Sequence, residues 1–210
     1  MNNKKKRSSS SRNWLVRQLK DKYVARSRDL GYRSRSAFKL LEIDKKYRIF
    51  ANNQVVVDLG CAPGGWLQVA TKRSTNGIII GVDLNDITPL QGVTFIKGDF
   101  LEPNTTTQIL QHLNDKQIDI VLSDMTAPAC GINQIDVLRN TMLVNSVINF
   151  CDKVNAKSMI AKVLRGGTEK EIFAACETQY QNVLYFKPHS SRQDSSEIYI
   201  VATRRTLHAC

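Results

Sequence analysis

Cysteine and histidine are too few and too scattered here to build a metal centre or a disulfide framework. The five cysteines (Cys61, Cys130, Cys151, Cys176 and Cys210) are odd in number and form no C-x-x-C pair. That spacing argues against structural zinc and suits a reducing compartment. His112, His189 and His208 have no cysteine or acid at ligand spacing, so no metal is expected. Long apolar runs are also missing. None approaches the roughly 18 residues that span a bilayer, and no secretory hydrophobic stretch follows the basic start. A membrane role is therefore not expected, and the cytoplasm is the expected location.

Acidic residues are scarce at one end only. From Met1 to Arg48 there are 16 Lys/Arg against 4 Asp/Glu, whereas the remaining residues hold 14 against 15. The N-terminal arm therefore carries +12 and the remainder −1, which makes the net charge of +11. A basic arm on a near-neutral domain is the footprint of a polyanion binder. The arm lacks interleaved aromatics, which points to phosphate contact rather than base reading. An Arg- and Ser-rich start also fits an organelle transit segment, and hence an organelle matrix, but Met1 to Arg12 has almost no apolar face. The division expected is a basic, partly disordered arm over residues 1–30, one domain over 31–205, and a short tail over 206–210.

What is present centres on Val55-Val56-Val57-Asp58-Leu59-Gly60-Cys61-Ala62-Pro63-Gly64-Gly65-Trp66. β-Branched residues predict a buried strand, the glycines a tight turn, and Leu67, Val69 and Ala70 a following helix. In a doubly wound α/β sheet this first strand-to-helix turn is where a nucleotide-like ligand sits. Cys61 reads as a small packing residue rather than a nucleophile.

The chain then alternates as a βαβ protein should. Strands are predicted at Gly77–Val82, Val93–Ile96, Ile118–Leu122 and Ser158–Val163, with Val183–Phe186 and Glu197–Ala202 closing the sheet as an antiparallel hairpin. Helices are predicted through Ala37–Asp44 with Ser34 or Ser36 as cap, and through Ile109–Leu113. Two more run over Ile135–Lys153, with Leu138, Met142, Val147 and Ile148 inward, and over Thr168–Gln179, with Thr168 as cap. Asn13 to about Arg28 reads as a short helix or an extended basic segment. Periodicity does not set the strand order.

Acids sit at the C-terminal ends of the strands, at Asp58, Asp83, Asp99 and Asp124, where open α/β sheets bind ligands. Asp83 lies about 20 residues past the glycine turn, where dinucleotide enzymes carry the acid that takes ribose hydroxyls. The turn itself departs from G-x-G-x-x-G, and Pro63 has no N–H for a pyrophosphate. A nucleoside without phosphates fits better, and a sulfonium nucleoside would welcome the carboxylates. S-Adenosylmethionine is therefore expected rather than NAD.

Five separated stretches carry a specific resemblance. They are Tyr32-Arg33-Ser34-Arg35-Ser36-Ala37-Phe38-Lys39-Leu40, Asp58 to Trp66, Gly98-Asp99-Phe100, Leu122-Ser123-Asp124-Met125 and Ser196-Glu197-Ile198-Tyr199-Ile200-Val201-Ala202-Thr203. In this order they resemble the FtsJ/RrmJ family of S-adenosylmethionine-dependent ribose 2′-O-methyltransferases. The resemblance implies a Rossmann-like class I methyltransferase fold: an α/β domain whose mostly parallel seven-stranded sheet has helices on both faces and a C-terminal antiparallel hairpin. It implies that Gly64, Trp66, Asp83, Asp99 and Asp124 bind the cofactor. The family's Lys-Asp-Lys-Glu tetrad would be Lys39, Asp124, Lys162 and Glu197. It further implies a monomer acting on a uridine of 23S ribosomal RNA within the large (50S) subunit, late in ribosome assembly. The alternatives are a tRNA anticodon-loop methylase and a weakly catalytic assembly factor.

Those four residues suit the chemistry. A ribose 2′-hydroxyl must lose its proton as the methyl group arrives, and a lysine can take it only if burial and a second cation lower its pKa. Lys162, on an apolar strand, is the expected base. Lys39 would supply the like charge, Asp124 would orient Lys162, and Glu197 would fix the lysines or the ribose. The sequence departs from the family after strand four, where Thr126-Ala127-Pro128-Ala129 stands in place of Ala-Pro-Asn. The segment after Lys162, Val163-Leu164-Arg165-Gly166-Gly167, also lacks the aromatic residue often found there.

Overall fold

The computed structural model describes residues 21–206. Expectations for residues 1–20 and 207–210 lie outside the described residues. Seven strands form one sheet: β1 (Val55–Leu59), β2 (Ile78–Asp83), β3 (Val93–Lys97), β4 (Ile120–Ser123), β5 (Ser158–Leu164), β6 (Tyr180–Phe186) and β7 (Glu197–Arg205). Their order is β3-β2-β1-β4-β5-β7-β6. Neighbours pair in parallel through β5, while β7 runs antiparallel to both β5 and β6. All five residues of β1 are buried, as a central strand covered on both faces requires. Strand order reverses between β1 and β4, so the crevice beyond their C-terminal ends is the ligand position of an open α/β sheet.

Six helices are described: α1 (Lys22–Asp29), α2 (Ala37–Tyr47), α3 (Gly65–Arg73), α4 (Pro103–Gln111), α5 (Asn133–Lys153) and α6 (Glu169–Glu177). Side chains alternate across the sheet and define two cores. Val55, Val57, Val121, Met159 and Ile200 pack with Ile109, Val144, Val147 and Ile172 of α4, α5 and α6. Val56, Ile120, Leu122, Ile160, Tyr199 and Val201 pack on the opposite face with Leu40 and Ile43 of α2 and Leu67 and Val69 of α3. No described helix is long and apolar enough to cross a membrane.

Several expectations give way. Leu138 and Met142 of α5 are 57% and 70% exposed, not inward. The buried stripe is Val137, Thr141, Val144 and Ile148, small and β-branched residues that let α5 approach closely. A side chain at Gly166 would already meet Val137 at 2.4 Å. Neither Ser34 nor Ser36 caps α2; their hydroxyls meet each other at 2.6 Å instead. Thr168 precedes α6 without a side-chain cap because its hydroxyl lies 2.7 Å from that of Thr141. The boundary expected near residue 30 falls inside packed structure. Asp21 caps α1 by accepting from Tyr23 N–H at 3.0 Å, and the Tyr23 ring lies 5.4 Å from that of Phe38.

A candidate active site between two clefts

Sheet parity assembles the site. Lys162 shares a face with Ile160, and Glu197 shares a face with Tyr199 and Val201, so all project toward the side covered by α2. β7 is antiparallel to β5, which sets Lys162 opposite Tyr199 and Leu164 opposite Glu197. Glu197 is thus a diagonal neighbour of Lys162, within reach of a long side chain. Asp124 follows β4 at the same end of the sheet. On α2, Phe38 turns its ring to Tyr23 and Tyr32, while Lys39 reaches the strands.

The four residues form an alternating square of charge. Lys39 Nζ lies 2.8 Å from Glu197 Oε2 and 3.7 Å from Asp124 Oδ1. Lys162 Nζ lies 2.8 Å from Asp124 Oδ1 and 3.6 Å from Glu197 Oε2. Lys162 also donates to the Asp124 carbonyl at 2.6 Å and to Thr126 Oγ1 at 2.8 Å. Thr126 belongs to the stretch that departs from the family pattern. Lys162 is buried and Lys39 is near, with both carboxylates between the two cations.

Two further side chains hold the acids. Tyr199 Oη donates to Asp124 Oδ1 at 2.6 Å, and Ser191 Oγ donates to Glu197 Oε1 at 2.8 Å. Burial, with Asp124 and Glu197 nearby, pushes the Tyr199 phenol well above its ordinary range, so it stays a donor. Burial also works against ionised Glu197, but Lys39 and Lys162, with hydrogen bonds from Lys39 and Ser191, bring its carboxyl down to about 2. Sequence reasoning assigned no role to Tyr199 or Ser191. The signal for Tyr199 was present, because a residue two beyond Glu197 on a strand must share its face.

Clefts lie on either side of this square. The larger cavity, of about 700 Å³, is lined by Asp83, Asp99 and Asp124 together with apolar Leu84, Phe100 and Met142. Asp83 accepts from Ala62 N–H at 2.8 Å and from Asn85 N–H at 2.8 Å, tying the glycine turn to the end of β2. Asp99 accepts from Leu101 N–H at 3.0 Å. Gly60, at φ +72°, lines the same cavity, and a side chain there would run into Met125 Cγ at 1.9 Å. A smaller cavity, of about 190 Å³, is lined by Arg35, Lys39, Arg192, Ser195 and Glu197.

Gly64 and Trp66 do not line the larger cavity. Trp66 is 2% exposed, donates Nε1–H to the Ser36 carbonyl at 2.9 Å, and packs on Tyr199 with ring centres 5.7 Å apart. Gly64, at φ +104°, lies against Arg33, whose Nη1 is 2.8 Å from where a Cβ would stand. Both brace the turn against the Tyr32–Lys39 segment, and any ligand contact from them would be through backbone. Asp58 is 1% exposed with no hydrogen bond to Oδ2, and burial, then Asp124 and Asp83, push its carboxyl well up. Burial also raises the Cys61 thiol, which suits packing rather than nucleophilic attack. Among the described residues no group of three or more His, Cys, Asp or Glu is placed to hold a metal ion.

A family model described as FtsJ-like methyltransferase matches residues 32–205. The chain belongs to that family. This FtsJ-like methyltransferase is similar to the ribosomal RNA large subunit methyltransferase E of Rickettsia akari, 46% identical over 209 residues, covering 96% of this chain and 92% of the relative. The protein of the same name from Rickettsia bellii is 48% identical over the same length and coverage. Among solved structures, a ribosomal RNA methyltransferase from Plasmodium falciparum superposes with a TM-score of 0.75 at 33% identity, covering 83% of this chain and 98% of that one. The FtsJ-like methyltransferase therefore needs a methyl donor and an acceptor; Asp124 lines the larger of its two clefts, and Lys39 and Glu197 line the smaller.

Proposed function

We propose that this FtsJ-like methyltransferase transfers a methyl group from S-adenosylmethionine to the ribose 2′-hydroxyl of a uridine in large-subunit ribosomal RNA. The observation that carries the reading is the alternating Lys39–Glu197–Lys162–Asp124 square between the two clefts. The larger cleft suits the donor. Its carboxylates favour a sulfonium nucleoside, Asp83 and Asp99 would accept from its hydroxyl and amino groups, and its apolar walls suit a flat base. When bound, S-adenosylmethionine would supply an activated methyl group on positively charged sulfur.

The protein's own contribution is orientation and proton removal. Lys162 is the general base that receives the hydroxyl proton as the oxygen attacks, and Asp124 holds its Nζ in place. Lys39 and Glu197, joined at 2.8 Å, flank the ribose. Burial within the sheet fixes these groups before substrate arrives, so alignment adds to the rate. The ribosomal substrate is supported by the names of relatives 46–48% identical across nearly the whole chain.

Radiolabelled S-adenosylmethionine incubated with large subunits, naked large-subunit rRNA and tRNA separates the alternatives. Label in large-subunit RNA at a ribose is expected. Label in tRNA alone would overturn the substrate, and label in no RNA would favour an assembly factor. Lys162→Arg tests the base: it keeps the charge but cannot lose its proton. It should be as inactive as Lys162→Ala while both still bind the donor, and substantial activity in the arginine variant would rule the base role out.

A further inference from the structure

The smaller cavity holds two guanidinium groups that differ in how fully they are occupied. Arg35 donates Nη1 to Asp21 and Nη2 to the Ser190 carbonyl, so both of its prongs are taken. Arg192 donates only Nε, to Asp21 at 3.3 Å. Its two Nη groups have no partner among the described residues, and its side chain is 34% exposed. One carboxylate, Asp21, thus holds two guanidiniums, which leaves the cluster positive. Lys187, the other cation on this loop, is already spent on the carbonyls of Gln193 and Ser195 at 3.3 and 2.7 Å.

The chemistry of the acceptor requires an anion beside the square. In RNA the 2′-oxygen and the 3′-phosphodiester are carried on adjacent ribose carbons. A pose that turns the 2′-hydroxyl toward Lys162 with the ribose in the smaller cavity brings that phosphodiester within reach of the wall that Lys39, Glu197 and Arg192 line. Arg192 lines this wall with its fork open, and a guanidinium fork matches two phosphate oxygens. We propose that Arg192 binds the phosphodiester on the 3′ side of the target ribose. Asp21 aims its guanidinium from behind, and Arg35 fixes the loop through Ser190. The inference rests on the reading of this site as a ribose 2′-O-methyltransferase.

The test uses the full chain and an RNA that it labels, with the methylated nucleotide mapped first. Two copies of that RNA are made by splinted ligation, one with a neutral methylphosphonate 3′ to the target and one with it 5′. With wild-type protein, the 3′ substitution should raise KM for RNA roughly tenfold to a hundredfold, the scale of one charge-assisted contact, and the 5′ substitution much less. Arg192→Ala should raise KM for normal RNA by a similar factor and show no further loss with the 3′ methylphosphonate. Arg192→Lys should recover part of the loss. The logarithmic salt slope should fall by about one in Arg192→Ala, while KM for the donor stays unchanged. If the penalties of Arg192→Ala and the 3′ methylphosphonate multiply, or if only the 5′ RNA shows the missing second loss, Arg192 does not bind this phosphate. If wild-type protein labels no RNA, the proposed function itself fails and takes this inference with it, an outcome visible before any variant is made.

Discussion

Tyr199 donates to Asp124 Oδ1 at 2.6 Å, the same oxygen that pairs with Lys162 at 2.8 Å. One carboxylate oxygen is thus held by a phenol and in turn holds the lysine, so the position of Lys162 is set by an aromatic residue on the neighbouring strand.

Tyr199→Phe should therefore lower kcat by roughly tenfold to a hundredfold, the range for one hydrogen bond to a charged group. The fold should survive because the ring still packs on Trp66. Single-turnover methyl transfer alongside a thermal melt checks both halves, and an unchanged kcat would separate Asp124 orientation from the chemistry.

Glu197 carries a signed pH dependence. Its carboxyl is held at about 2 in the fold against an ordinary 4.5, so its pairing stabilises fully above pH 4.5 and is lost as pH falls toward 2. Glu197→Gln should be less stable than wild type by a constant amount above about pH 5, and the gap should narrow on acidification. Urea unfolding from pH 2.5 to 7 measures it, and a gap that does not narrow would show that the lysines do not stabilise the ionised form.

Asp58 carries the opposite sign. A buried acid held protonated stabilises below the ordinary carboxyl value of 3.8 and loses that contribution as pH rises. Asp58→Asn should gain on wild type as pH increases from 4 to 7.5. Melting temperatures at the two pH values decide, and an equal difference at both would show that Asp58 is not neutral in the fold.

Removing residues 1–12, which contain five Lys/Arg and no acid, should weaken RNA binding and flatten its salt dependence. Filter binding across a salt series reads this directly. An unchanged slope would reduce the segment to a solvated tail.

The strand-end acids and the glycine turn were legible because each is a local signal: β-branched runs end in Asp, and a Gly- and Pro-rich turn follows. Lys39, Asp124, Lys162 and Glu197 came from resemblance, and their meeting depends on strand order, which no local pattern states. Only the insertion of β7 between β5 and β6 brings Glu197 beside Lys162. On α5, Val147 and Ile148 are inward as expected, but Leu138 and Met142 are not, because apolar type alone does not say which side of a helix faces the sheet. Met142 instead lines the larger cavity, and the core takes Val137 and Thr141. Asp21, Ser191 and Arg192 were not legible. Their partners lie far away in sequence or in an irregular loop, where polar and charged side chains carry no periodic signal.

The placement of β7 also bears on how the protein comes into being. β6 pairs with β7 alone, and β7 must enter between two strands made before it. Residues 197–205 are therefore the last strand to be synthesised, although their place in the sheet is interior, beside β5. Glu197 belongs to that strand, so until it has been made the charge square lacks one of its two acids. Completion of the sheet and of the charge square thus both wait on the last strand of the chain.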